Sequence, residues 1–142
     1  MTTSYLIAVD GSEPSARAVE QAIADAASRK LSPHLYLVNV QPALPPNVTR
    51  FIDAETVDDF QRETGDQALA SAKDKLMASG LVFSSHILVG EAAPTLVEFA
   101  EQNNCSQIIM GAHGFGSVVG LFMGSVTVKV VHLSAVPVLL VK

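Results

Sequence analysis

Charge is scarce in this chain of 142 residues, where only 16% are Asp, Glu, Lys or Arg and 49% are apolar. Bases are scarcer still, 9 against 14 acids, for a net charge of −5. That deficit speaks against a general nucleic-acid or anionic-membrane surface. No apolar run reaches about 18 residues, so no transmembrane helix and no membrane insertion are expected. The start, "MTTSYLIAVDGSEPS", has no basic n-region, and its apolar run is too short for a signal peptide. Cys105 is the single cysteine. It excludes an internal disulfide, and a reducing, cytoplasmic setting is expected. With no thiol partner or motif, Cys105 reads as a small buried hydrophobe. His34, His86 and His132 are scattered without ligand spacing, so no metal site is expected. A GxSxG nucleophile elbow is missing too, which sets aside a Ser-His-Asp hydrolase.

What the chain has is alternation. "YLIAV" (5–9) is a short apolar run ended by the turn signal "DGSEPS". Ala18, Ala22, Ala26, Val19 and Ile23 then recur at helical spacing, with Ser12 as N-cap and Pro14 in the first turn. "HLYLVNV" (34–40) reads as a second strand. Residues 41–49 hold three prolines and are expected to be irregular. Residues 53–79 form a long amphipathic helix, bent or frayed at Gly65, with Val57, Phe60, Ala68, Ala72 and Leu76 near one face and Gly80 after its end. The acidic run Asp53, Glu55, Asp58 and Asp59 suits its solvated first turns. Strands follow at 82–90 and 106–112, with a helix at 93–104 between them. A helix at 125–134, with Val126, Val130 and Leu133 on one stripe, precedes a last strand at 137–141. The length is that of one domain, 1–142. Strand-helix alternation and an apolar-rich composition imply an open parallel α/β sheet covered on both faces.

Such folds bind ligands beyond the carboxyl ends of their strands. Two unusual stretches fall there: Asp10-Gly11-Ser12 after the first strand, and "MGAHGFGSVVGLFMGS" (110–125) after the fourth. The second has five glycines and no lysine or arginine. Glycines let a backbone approach an anion closely, and the N–H groups of a helix starting at Gly124-Ser125 suit phosphate oxygens. The P-loop pattern fails for want of lysine. Gly114, Gly116 and Gly120 give GxGxxxG, which is not the dinucleotide pattern. Gly111-x2-Gly114-x9-Gly124-Ser125 does match the nucleotide motif G-x2-G-x9-G-[S/T]. The plain alternatives are that the loop is a tight turn, Asp10 a turn or helix-capping residue, Val40 core, and His113 a loop residue bonded to backbone.

With that motif, "YLIAVDGSEPSARAV", "GEAAPTLVEFAEQNNCSQIIMGAHG" and "GSVTVKVVHLSAVPVLLVK", the whole chain resembles the universal stress protein family. The resemblance implies a five-stranded parallel sheet of order 3-2-1-4-5 between two helix layers, a Rossmann-like three-layer sandwich. It also implies a homodimer, here through the C-terminal strand 136–141, and ATP or another adenine nucleotide (AMP, ADP) as ligand. Carried over by position, Ala8, Val9 and Asp10 line the end of the first strand, with Asp10 toward the ribose or a metal-bound phosphate. Val40 packs on adenine. Met110, Gly111, His113 and Gly114 form the loop under ribose and phosphates. Gly124, Ser125, Val126 and Thr127 hold the phosphates. Two departures stand out: "FGSVVGLFM" is uncharged where many ATP-binding relatives carry bases, and Ala8 stands where some have proline. Mg2+ with the nucleotide could offset the missing bases.

Three functions are compatible with these features. The first is an adenine-nucleotide-binding dimer that regulates an unknown protein partner in a stress response. The second is an interaction dimer that binds no nucleotide. The third is a slow ATPase, for which the sequence identifies no base or arginine finger. An exposed apolar last strand favours pairing with another chain, and Pro137 at its start costs little there.

Overall fold

The computed structural model describes residues 3–114 and 123–142. Its elements run β1 Ser4–Ala8, α1 Glu13–Ala27, β2 His34–Gln41, α2 Pro46–Thr49, α3 Ala54–Ser79, β3 Phe83–Val89, α4 Ala92–Gln102, β4 Gln107–Gly111, α5 Ser125–Leu133 and β5 Val138–Val141. All strand pairings are parallel, and the sheet order is β3-β2-β1-β4-β5. Because the chain steps from the β3 edge back to β4 beside β1, strand order reverses between β1 and β4. That opens a crevice at their carboxyl ends.

The pleat sends alternate residues to opposite faces. Tyr5 and Ile7, with Leu35, Leu37 and Ile109, meet the small face of α1 (Ala18, Ala22, Ala26) and Leu69 and Leu76 of α3. Leu6, Val38, Ile108 and Met110 meet Leu96 and Val97 of α4 and Val130 of α5. Each fully buried Leu or Ile contributes about 1.5–3 kcal/mol. Cys105 belongs to the second core, and burial pushes its thiol pKa up to about 11, so it packs rather than reacts. No helix among the described residues is long and apolar enough to cross a membrane.

Four sequence expectations need correction. The proline-rich segment is not wholly irregular: Gln41 ends β2, and Pro46–Thr49 form one helical turn with Pro46 in its first positions. There the missing N–H would have had no intrahelical acceptor anyway. The buried face of α3 is Gln61, Gly65, Leu69, Ala72 and Leu76, while Phe60 is 56% exposed. Phe60 precedes the buried Gln61 by one residue and so lies about 100° round the helix from it, off the side that meets the sheet. Gly65 does not interrupt α3; it lets the helix approach β3, since a Cβ there would lie 2.8 Å from Ile87. In α5, Thr127 and Val130 are buried, whereas Val126 and Leu133 are exposed. The buried face of that helix includes the polar Thr127, so a stripe drawn through apolar residues alone misplaces its inward side.

Candidate functional site

The end of β1 is pinned before it reaches the crevice. The Val9 N–H donates to the Val38 carbonyl at 2.9 Å, and the buried Asn39 amide donates to the Val9 carbonyl at 2.8 Å. Gln41 in turn donates to Asn39 Oδ1 at 2.7 Å. Beyond Val9 the chain turns, and Asp10 Oδ1 accepts the Ser12 N–H at 2.8 Å. Ser12 caps α1 by accepting from the Ser15 N–H at 3.4 Å. Asp10 is thus a turn-forming residue, as the plain reading has it. Its second oxygen faces Gly114, where a Cβ would lie only 2.5 Å away.

At the end of β4, Gly111 lies hard against the first turn of α1. A Cβ there would meet Pro14 Cβ at 2.8 Å and the Pro14 carbonyl carbon at 2.9 Å. The chain re-enters the described residues at Met123. Gly124 donates its N–H to the Ala112 carbonyl at 2.9 Å and stands as N-cap of α5 without a side-chain cap. The N–H groups of the first turn of α5 have no intrahelical acceptor. The Thr127 hydroxyl donates to the Gly111 carbonyl at 3.1 Å, tying the start of α5 to the end of β4. Its side chain is committed to the fold, which leaves its backbone for any ligand.

These segments enclose a cleft of about 530 Å³, within the range of small-molecule sites. All twelve sequence-derived candidates line it: Ala8, Val9 and Asp10 from the β1 end, Val40 from β2, Met110, Gly111, His113 and Gly114 from the β4 end, and Gly124, Ser125, Val126 and Thr127 from α5. Residues 115–122, the uncharged middle of the loop with Gly116 and Gly120, lie outside the described residues. Sequence reasoning missed Ser15, Val38, Asn39, Pro42, Ala92 and Leu96. Asn39 and Pro42 flank Val40 closely enough to have been found from its position; Ala92 and Leu96 reach the cleft only through the packing of α4. The backbone of β2 alternates between its neighbours, and the Val38 carbonyl faces β1. Val40 therefore presents its N–H and carbonyl toward the β1 side, past the point where β1 ends. His113 Nδ1 is buried without a hydrogen-bond partner among the described residues, an uncommon condition for such a group.

A second polar cluster lies on β2 and β3. His34 and His86 are not scattered: each Nε2 lies on Ser84 Oγ, at 3.1 and 3.0 Å. The Tyr36 and Phe99 rings pack beside them. Burial, and secondarily the neighbouring His34, hold the His86 pKa below its ordinary value. No group of three or more His, Cys, Asp or Glu able to hold a metal occurs among the described residues.

An open parallel sheet with a glycine-lined cleft at its switch point defines a Rossmann-like fold, with the cleft where such sheets commonly take a ligand. The family model of the universal stress proteins matches residues 1–142, and the chain belongs to that family. It is 31% identical to the universal stress protein MJ0531 of Methanocaldococcus jannaschii, over 96% of this chain and 80% of that one. The solved structure of MJ0577 superposes with a TM-score of 0.84 at 25% identity, covering 100% of this chain and 96% of that one. A universal stress protein solved in complex with cAMP has a TM-score of 0.73 at 25% identity, covering 99% and 97%.

Proposed function

We propose that this protein binds an adenine nucleotide in the switch-point cleft and acts as a dimeric, cytoplasmic regulator of a partner protein in a stress response. The observation that carries the reading is the convergence of the three motif glycines, Asp10 and Val40 on one cleft that ends at the uncapped first turn of α5. Val40 offers adenine an apolar side chain and a backbone donor and acceptor. Asp10 offers the ribose a carboxylate. The first turn of α5 offers the phosphate its N–H groups and the positive end of its dipole. The buried Nδ1 of His113, without a partner among the described residues, is a group that a ligand hydroxyl or phosphate oxygen would satisfy. The cAMP complex of a relative at 25% identity supports the same ligand class. Mg2+ commonly binds through one or two carboxylates plus substrate phosphates, and Asp10 could serve as such a ligand alongside ATP.

The dimer rests on separate features. β5 is an edge strand, and beside it in the chain α5 exposes Val128, Val131 and Leu133. An apolar edge with an apolar helix face invites a second copy through residues 136–141.

Calorimetric titration of nucleotide-stripped protein with ATP plus Mg2+, and with AMP, tests the ligand. The expected result is saturable micromolar binding of at least one of them, abolished by Gly124→Val in a protein that still folds. Undiminished binding by the folded variant would place the nucleotide elsewhere.

A further inference from the structure

We propose that the cleft selects adenine nucleotides of low charge, a mono- or cyclic monophosphate, over free ATP, and takes ATP only together with a divalent cation. The inference rests on the nucleotide reading above and deepens it. Asp10 is the one Asp, Glu, Lys or Arg lining the cleft among the described residues. Three helices begin at its rim. α4 contains no Lys or Arg, and the other two cations face acids instead of the cleft. Arg17 of α1 pairs with Glu13 at 2.8 Å and donates from Nε to the Lys142 carbonyl at 2.6 Å. Lys129 of α5 pairs with Glu91 at 3.3 Å. The sequence from Met110 to Ser125 has no Lys or Arg either, so the rest of the loop brings none.

The positive potential in the cleft therefore comes from backbone. Of the three helix starts, that of α1 is capped by Ser12 and carries Glu13, and that of α4 opens on Glu91; the start of α5 supplies roughly half a unit charge and a few N–H groups, enough for the oxygens of a single phosphate. Free ATP would bring a chain of three phosphates to the same place, beside the Asp10 carboxylate and inside a protein of net charge −5. Desolvated phosphates without a counter-charge are unfavourable. A divalent ion lowers the net charge of ATP to about that of AMP, which is why the cation should matter for one ligand and not the other.

The test is a titration series with AMP, cAMP and ATP, in EDTA and then in Mg2+, at one fixed pH. In EDTA, AMP or cAMP should bind at least tenfold more tightly than ATP. Mg2+ should tighten ATP at least tenfold and leave AMP within about twofold. ATP binding in EDTA as tightly as AMP would overturn the proposal while leaving the nucleotide site standing. Absence of saturable binding by every nucleotide would overturn the underlying reading as well. Val126→Lys places a cation in the first turn of α5 at a position already 38% exposed, so folding should survive. It should raise ATP affinity in EDTA at least tenfold and AMP affinity less; an unchanged ATP-to-AMP ratio would overturn the electrostatic cause.

Discussion

The first motif glycine is expected to serve packing before it serves a ligand, and Gly111→Ala separates the two. A Cβ at this position would lie 2.8 Å from Pro14 Cβ, 2.9 Å from the Pro14 carbonyl carbon and 3.0 Å from the His113 carbonyl oxygen. Two of these atoms are backbone and the third belongs to a ring, so no side-chain rotation relieves the overlap. Either α1 moves off the sheet or the end of β4 bends. Overpacking of this kind costs about 1–3 kcal/mol. Replacing glycine in a strand returns roughly 0.5–1 kcal/mol of backbone entropy, which trims the loss without reversing it. For a chain of this size the net effect is a fall in Tm of about 2–8 °C, read by thermal unfolding without any ligand present. Gly124→Val, at a backbone conformation (φ −64°, ψ 157°) open to any residue, should remove nucleotide affinity in a protein that still unfolds cooperatively. An unchanged or higher Tm for Gly111→Ala would refute the packing argument.

Other expectations follow from the same contacts. Asn39→Ala leaves the buried Val9 carbonyl and the Gln41 amide without a partner, and should cost about 1–3 kcal/mol in urea unfolding and weaken nucleotide binding by loosening the β1 end. Leu69→Ala opens a void between α3 and the sheet and should cost about 2–5 kcal/mol by the same assay. The lowered His86 pKa means that the unfolded chain takes up its proton first as pH falls through the ordinary histidine value, so stability declines on acidification until the folded pKa is passed. His86→Gln should lose less Tm than the parent protein on going from about pH 7.5 to 5.5; equal losses would remove His86 as the cause. Val131→Glu charges the exposed face of α5 without entering the core and should shift sedimentation from dimer to monomer. Leu139 and Val141 are poorer positions for that test, because both pack against the sheet core.

The sheet was legible because each strand is a short apolar run closed by turn chemistry and each α1-type helix carries small residues at a strict period. The site was legible for a related reason: a switch-point fold puts its ligand groups where strands end, and the motif glycines are fixed in number and spacing. Faces were harder to read. Phe60 is apolar and reads as core, but the face that α3 buries runs through Gln61, Gly65 and Leu69 and leaves Phe60 to one side. Val126 and Leu133 lie beside Val130 on the wheel, and the inward face escapes an apolar stripe because its other buried member, Thr127, is polar. The one-turn helix at Pro46–Thr49 hid behind prolines that initiate helices as readily as they break them. The His34–Ser84–His86 contact depends on strand register between β2 and β3, which spacing along the chain does not carry.

The most direct test of the central claim is amide chemical-shift mapping of the nucleotide-stripped protein titrated with AMP. Saturable shifts should concentrate on Val9, Asp10, Val40, Gly111, His113 and the first turn of α5, and leave the β2–β3 histidine cluster unmoved. Saturable shifts centred away from the cleft, or none at millimolar AMP, would contradict the account.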